Sequence, residues 1–147
     1  MKTLLKIFTG IVIGTSLLAF TPLGGESFTL HINGKEVVEH YFTAKAVTPT
    51  VALNPATAND QVSVYYNECG KIGTSRKLML KDAQNHVLKE WRYDNATTEH
   101  TPMTFRINEI LAYKTSAPLN LVYSSKEVSK ERLLTVLTFD GGKTASK

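Results

Sequence analysis

The stretch Asn67 to Arg76 concentrates what reactive chemistry this chain holds: Asn67, Glu68, Cys69, Lys71 and Arg76 bring an amide, a carboxylate, the only thiol and two cations into ten residues. Cations beside a cysteine favour a nucleophilic thiolate. A nucleophile also needs a base, and none of His31, His40, His86 and His100 stands near Cys69 in sequence. Spacing therefore points to a small, partly buried thiol at a strand end, with an intermolecular disulfide as its other use. Gly70, Lys71, Gly73, Thr74 and Ser75 superficially suggest a phosphate loop, but the order is wrong. Lys71 precedes Gly73, and strands flank the segment where a P-loop needs a strand and then a helix. The two glycines read as positive-φ residues that let a long hairpin loop turn.

Other reactive constellations are missing. No His-x-x-x-His or His-x-His pair occurs, and His31 and His40 lie roughly 13 Å apart along a hairpin, too far to share a metal ion. There is no Gly-x-Ser-x-Gly elbow, and Asp60, Asp82, Asp94 and Asp140 fall in turns, where carboxylates accept backbone hydrogen bonds. Glu68 and Glu90 would be an acid and base pair only if the fold brought them together; Glu90, on a strand, reads as a solvated partner of Lys or Arg. The remaining resource is aromatic. Tyr65, Trp91 and Tyr93 would form a platform for sugar rings if they shared an outer face, although a lone tryptophan in a small β-protein is expected between the sheets.

The elements that must position these residues are strands. Asn33-Gly34 separates two β-rich runs, Ser27 to Ile32 and Lys35 to Phe42, and predicts a two-residue hairpin. Its register sets Ile32 opposite Lys35, His31 opposite Glu36 and Leu30 opposite Val37, with Phe28, Leu30, Ile32, Val37 and Tyr41 on the core face. Thr29, His31, Glu36 and His40 then form the polar face. At a sheet edge the outer strand would be open to an added partner strand, and Lys35, Glu36 and Glu39 read more simply as guards against that. Val47 to Leu53 is a further strand whose first half Pro49 weakens. Gln61 to Tyr66, Arg76 to Lys81 and His86 to Tyr93 alternate with a period of two and read as a three-stranded meander, its second turn made by Asp82 to Asn85. Met103 to Ile107, Leu119 to Ser124 and Arg132 to Phe139 complete the set. Asn108 is expected to cap a single helical turn over Glu109 to Tyr113. Seven to nine short strands with one helical turn predict an all-β, antiparallel two-sheet sandwich of immunoglobulin-like Greek-key type.

Composition limits the rest. Lys2 and Lys6, the apolar run Ile7 to Phe20 and the Pro22-Leu23-Gly24-Gly25 exit have the layout of a secretory signal peptide over residues 1–25, followed by one domain over 26–140 and a disordered tail over 141–147. An uncleaved signal anchor is the competing reading, and Cys69 is too far from the signal to carry a lipid. Without Lys2 and Lys6, 15 basic residues face 13 acidic ones, a net charge of +2, and no run of like charges supports nucleic-acid binding. One cysteine makes no internal disulfide, so the core alone must hold the domain. By elimination the chain is expected to be a periplasmic or secreted, non-catalytic module without cofactor or metal, binding a protein through Asn67, Glu68, Cys69, Lys71 and Arg76. Carbohydrate binding through Tyr65, Trp91 and Tyr93 is the alternative, and an enzyme using Cys69 the third. The intact mass of the exported form should correspond to cleavage between Ala19 and Gly25; a full-length species held in the inner membrane would support the anchor instead.

Overall fold

The computed structural model describes residues 25–141. The expected signal peptide and tail lie outside it, apart from Gly25 and Gly141. Nine strands form two stacked sheets. In one, β2 (Lys35–Tyr41), β1 (Ser27–Ile32), β4 (Gln61–Asn67) and β7 (Met103–Arg106) lie side by side in that order. The other runs β3 (Thr50–Leu53), β9 (Arg132–Phe139), β8 (Leu119–Ser124), β5 (Lys77–Lys81) and β6 (Val87–Arg92). The pairs are antiparallel except β3 with β9. The chain crosses between sheets after β2, β3, β4, β6 and β7, the Greek-key arrangement of an immunoglobulin-like sandwich.

Period-two alternation explains the core. Val62, Val64 and Tyr66 of β4 point inward against Leu78 and Leu80 of β5, and Phe28, Leu30, Met103, Phe105, Leu119, Leu121 and Tyr123 complete the layer between the sheets. Because β4 and β5 face one another across this layer, the expected three-stranded meander is not formed; only β5 and β6 are hairpin neighbours. Alternation specifies an inward face but not the sheet that owns it. The turn at Asp82–Asn85 follows expectation: Asp82 accepts from the amides of Gln84 and His86, both at 2.9 Å, and Asn85 adopts φ 68°.

The Asn33-Gly34 hairpin also forms, with Asn33 at φ 50° and Gly34 at φ 78°. Ile32 pairs with Lys35 and His31 with Glu36, but a bulge between Leu30 and His31 then sets Leu30 opposite Val38, not Val37. The extra residue inverts the facing of β2 beyond it. Val37 and Tyr41, expected in the core, are therefore 44% and 56% exposed, while Val38, His40 and Phe42 turn inward. Regular pairing would have turned Glu39, which shares the facing of Val37 and Tyr41, toward the core without a charge partner; the bulge avoids that penalty. His40, expected on the polar face, instead packs on Phe28 and Phe42 with ring centroids at 5.7 and 5.1 Å.

Pro49 stays outside β3, as its missing amide requires, and its carbonyl accepts from the Val136 amide at 3.0 Å and the Thr135 hydroxyl at 2.9 Å. Between β7 and β8 the expected single turn is two 3-10 turns, Ile107–Glu109 and Leu111–Ser116. Glu109, not Asn108, caps the first, accepting the Arg106 amide at 2.8 Å.

The outer strand of the hairpin is β2; β1 pairs on both sides. A proline at Thr29 should therefore remove an internal ladder bond and leave a partner carbonyl unpaired, costing about 1–3 kcal/mol. Urea unfolding checks this: the midpoint should fall for Thr29→Pro and hardly move for Thr29→Ala.

Candidate functional site

Asn67 to Arg76 connects the two sheets and is not a hairpin loop. Its tip is a tight turn, Glu68 to Lys71, closed by the Lys71 amide on the Glu68 carbonyl at 3.1 Å, with the Gly70 amide on the Asn67 side-chain oxygen at 3.2 Å. Both central residues have positive φ, 54° at Cys69 and 79° at Gly70. Glycine accepts this conformation freely, while cysteine does so at a cost of roughly 1–2 kcal/mol. The turn lifts Cys69 clear of the sheets, so the thiol is exposed and not the partly buried one expected from sequence. Lys71 is exposed beside it and Ile72 is 42% exposed.

Beneath this tip the stem is buried. Glu68, 4% exposed, accepts a hydrogen bond from the Tyr123 hydroxyl through Oε1, and its Oε2 has no hydrogen-bond partner among the described residues. Gly73 does not take the positive φ expected of it. Its hydrogen serves close approach instead, because a Cβ there would stand 2.8 Å from Glu68 Oε1 and 3.0 Å from both Arg76 Cδ and the Tyr123 hydroxyl. Arg76, 5% exposed, donates from Nε and Nη2 to the Asp94 carbonyl at 3.0 and 2.9 Å and from Nη1 to the Thr101 carbonyl at 2.8 Å. Burial and the Glu68 contact push the Tyr123 hydroxyl's pKa up, so it remains a donor.

Three loops are joined at this end of the sandwich. The Ala96 amide donates to the Gly73 carbonyl at 2.8 Å, the Ser75 amide to the Asn95 side chain at 2.9 Å, and the Lys126 amide to the Thr74 carbonyl at 3.0 Å. Glu127 accepts from both the amide and the hydroxyl of Thr74. Desolvation opposes the charged form of Glu127, yet these hydrogen bonds outweigh it and hold the carboxyl below the usual range. Beside the junction lies an open pocket of about 500 Å³ lined by Ser75, Arg76, Lys77, Arg92, Tyr93, Ser124, Ser125 and Lys126. Nothing in the sequence alone joins Lys77, Arg92 and Lys126; pairing of β5 with both β6 and β8 aligns Arg92, Lys77 and Ser124 in one row.

The aromatic residues do not make one platform. Trp91 packs between the sheets, stacked on Phe105 at 4.6 Å, and its indole N–H donates to Glu109 at 2.9 Å. Tyr93 is also half-buried, donating to the Thr104 carbonyl at 2.9 Å, and burial raises its pKa. Tyr65 lies on the outer face of the other sheet, 5.0 Å from the His31 ring, beside a depression of about 260 Å³ shared with Thr29 and His100. Glu90 holds Arg92 at 2.7 Å and Lys77 at 3.6 Å, the solvated ion pairing expected of it. Among the described residues no group of three or more His, Cys, Asp or Glu is placed to hold a metal ion, and no helix is long and apolar enough to cross a membrane.

No protein family, curated protein or solved structure matches the chain.

The contacts over Gly73 give a direct test. Gly73→Ala should cost about 1–3 kcal/mol by overpacking, read as a lower urea midpoint; parental stability would mean that Glu68 and Tyr123 separate without cost.

Proposed function

We propose that the chain is an exported, non-catalytic β-sandwich that binds another protein through the end of the sandwich carrying Asn67 to Arg76. The observation behind this reading is the contrast within one loop: a stem fixed by buried Glu68, Gly73 and Arg76, and a tip at which Cys69, Lys71 and Ile72 are exposed. A surface already held in one conformation loses little entropy on binding. Ile72 at its summit supplies apolar area for a partner to cover. Loops collected at one end of a sandwich are also where such folds commonly carry recognition. The unusual backbone at Cys69 fits this reading, since strained conformations concentrate at functional positions. Export rests on the pattern of the N-terminal residues.

Carbohydrate binding is the second reading, moved from Trp91 and Tyr93 to the outer face around Tyr65. There Tyr41, 56% exposed, and Tyr65 border a depression of about 210 Å³ together with Glu39, Asn67 and His100, a mixture of ring faces and polar groups suited to sugars.

Pull-down from the native envelope fraction separates the two readings. Ile72→Asp should abolish capture of the partner and leave unfolding unchanged, whereas Tyr65→Ala should have little effect. Retention of a partner by Ile72→Asp, or saturable glycan binding lost in Tyr65→Ala, would reverse the order.

A further inference from the structure

The pocket beside the loop junction has a charge pattern that protein binding in general does not require. Arg76 lines its floor, but the side chain turns inward, where its Cδ crowds Gly73 together with Glu68 Oε1 and the Tyr123 hydroxyl. Three of its N–H groups are committed to the carbonyls of Asp94 and Thr101. With buried Glu68 in the same knot, this guanidinium belongs to the interior, and the pocket's free charge is that of its rim.

The rim cations are under-compensated. Lys77 and Arg92 share the single carboxylate of Glu90. Lys126 has no ion pair among the described residues, and its neighbour Glu127 is occupied by Thr74. Lys77, Arg92 and Lys126 therefore rim the pocket with the carboxylate of Glu90 shared between the first two, and the hydroxyls of Ser75 and Ser124 add donors. The volume of about 500 Å³ exceeds what one small ion fills and opens along a row of side chains from β6 to β8.

We infer that this pocket receives the carboxylates of an acidic segment of a protein partner, held by Lys77, Arg92 and Lys126. The inference deepens the protein-binding proposal and rests on it for the kind of ligand. Guanidinium groups bind carboxylates through paired, charge-assisted hydrogen bonds, while the lysines supply point charge that draws an acidic segment toward the site.

The test is calorimetric titration of the processed chain with a hexaglutamate peptide, a hexaglutamine peptide, inorganic phosphate and inorganic sulfate, with amide chemical shifts recorded alongside. Hexaglutamate should bind, weaken as salt rises from about 50 to about 500 mM, and shift the amides of Lys77, Ser124 and Lys126; hexaglutamine should not. Lys126→Glu and Lys77→Gln, which leave the Arg76 contacts intact, should each weaken hexaglutamate by about ten-fold and weaken partner capture in the pull-down. Unchanged peptide affinity in both variants, or shifts confined to other surfaces, would overturn the assignment. So would a response to phosphate or sulfate with none to hexaglutamate, which would make the pocket an inorganic ion site. The two proposals fail separately: capture lost in Ile72→Asp but untouched in Lys126→Glu refutes the acidic segment and leaves the tip, whereas hexaglutamate binding in the pocket with capture intact in Ile72→Asp refutes the tip alone.

Discussion

A buried positive charge must be surrounded by acceptors, and at Arg76 those acceptors are backbone carbonyls from another loop. Leaving this guanidinium unsatisfied would cost several kcal/mol. Its demand for the carbonyls of Asp94 and Thr101 therefore fixes the chain on either side of residues 94–101. That loop in turn holds the crossing segment through Ala96 and Asn95. The crossing segment engages the loop after β8 through Thr74, Lys126 and Glu127. One desolvated side chain thus organises three connections that share no regular secondary structure.

The opposite side of the same knot is anionic. Glu68 is buried with one oxygen on Tyr123 and the other unpartnered among the described residues, and those atoms leave no room for a Cβ at Gly73. Tyr123 joins the knot to the apolar layer by stacking on Tyr66 with centroids at 4.0 Å. Polar and apolar packing therefore converge on one residue of β8, and a loss at that position would be felt by both. This is the cooperative behaviour expected of connected buried networks.

Much of the fold was legible in the sequence, and the failures share a cause. Alternation, Asn33-Gly34 and Asp82 to Asn85 locate strands and turns because those signals are local. The bulge at Leu30 was less visible, though Glu39 between Val37 and Tyr41 already conflicts with regular pairing. The sheet owning β5 was not legible at all, since Leu78 and Leu80 face inward in either assignment. The site divides in the same way. Asn67 to Arg76 stands out by composition, but Cys69 reads as buried because cysteine usually is, and only the turn geometry exposes it. Asn95, Glu127 and Lys126 were missed because nothing local marks them; their roles arise from distances across 20 to 53 residues of chain.

The separation of stem and tip also bears on how such a molecule changes over generations. Lys71 and Ile72 point to solvent, and no side-chain hydrogen bond ties either of them to the described structure. Drift at these two positions would meet little resistance from folding, whereas Glu68, Gly73 and Arg76 would be held by it. Selection can then alter what the summit recognises without reopening the problem of how the protein folds, the property that makes a scaffold evolvable.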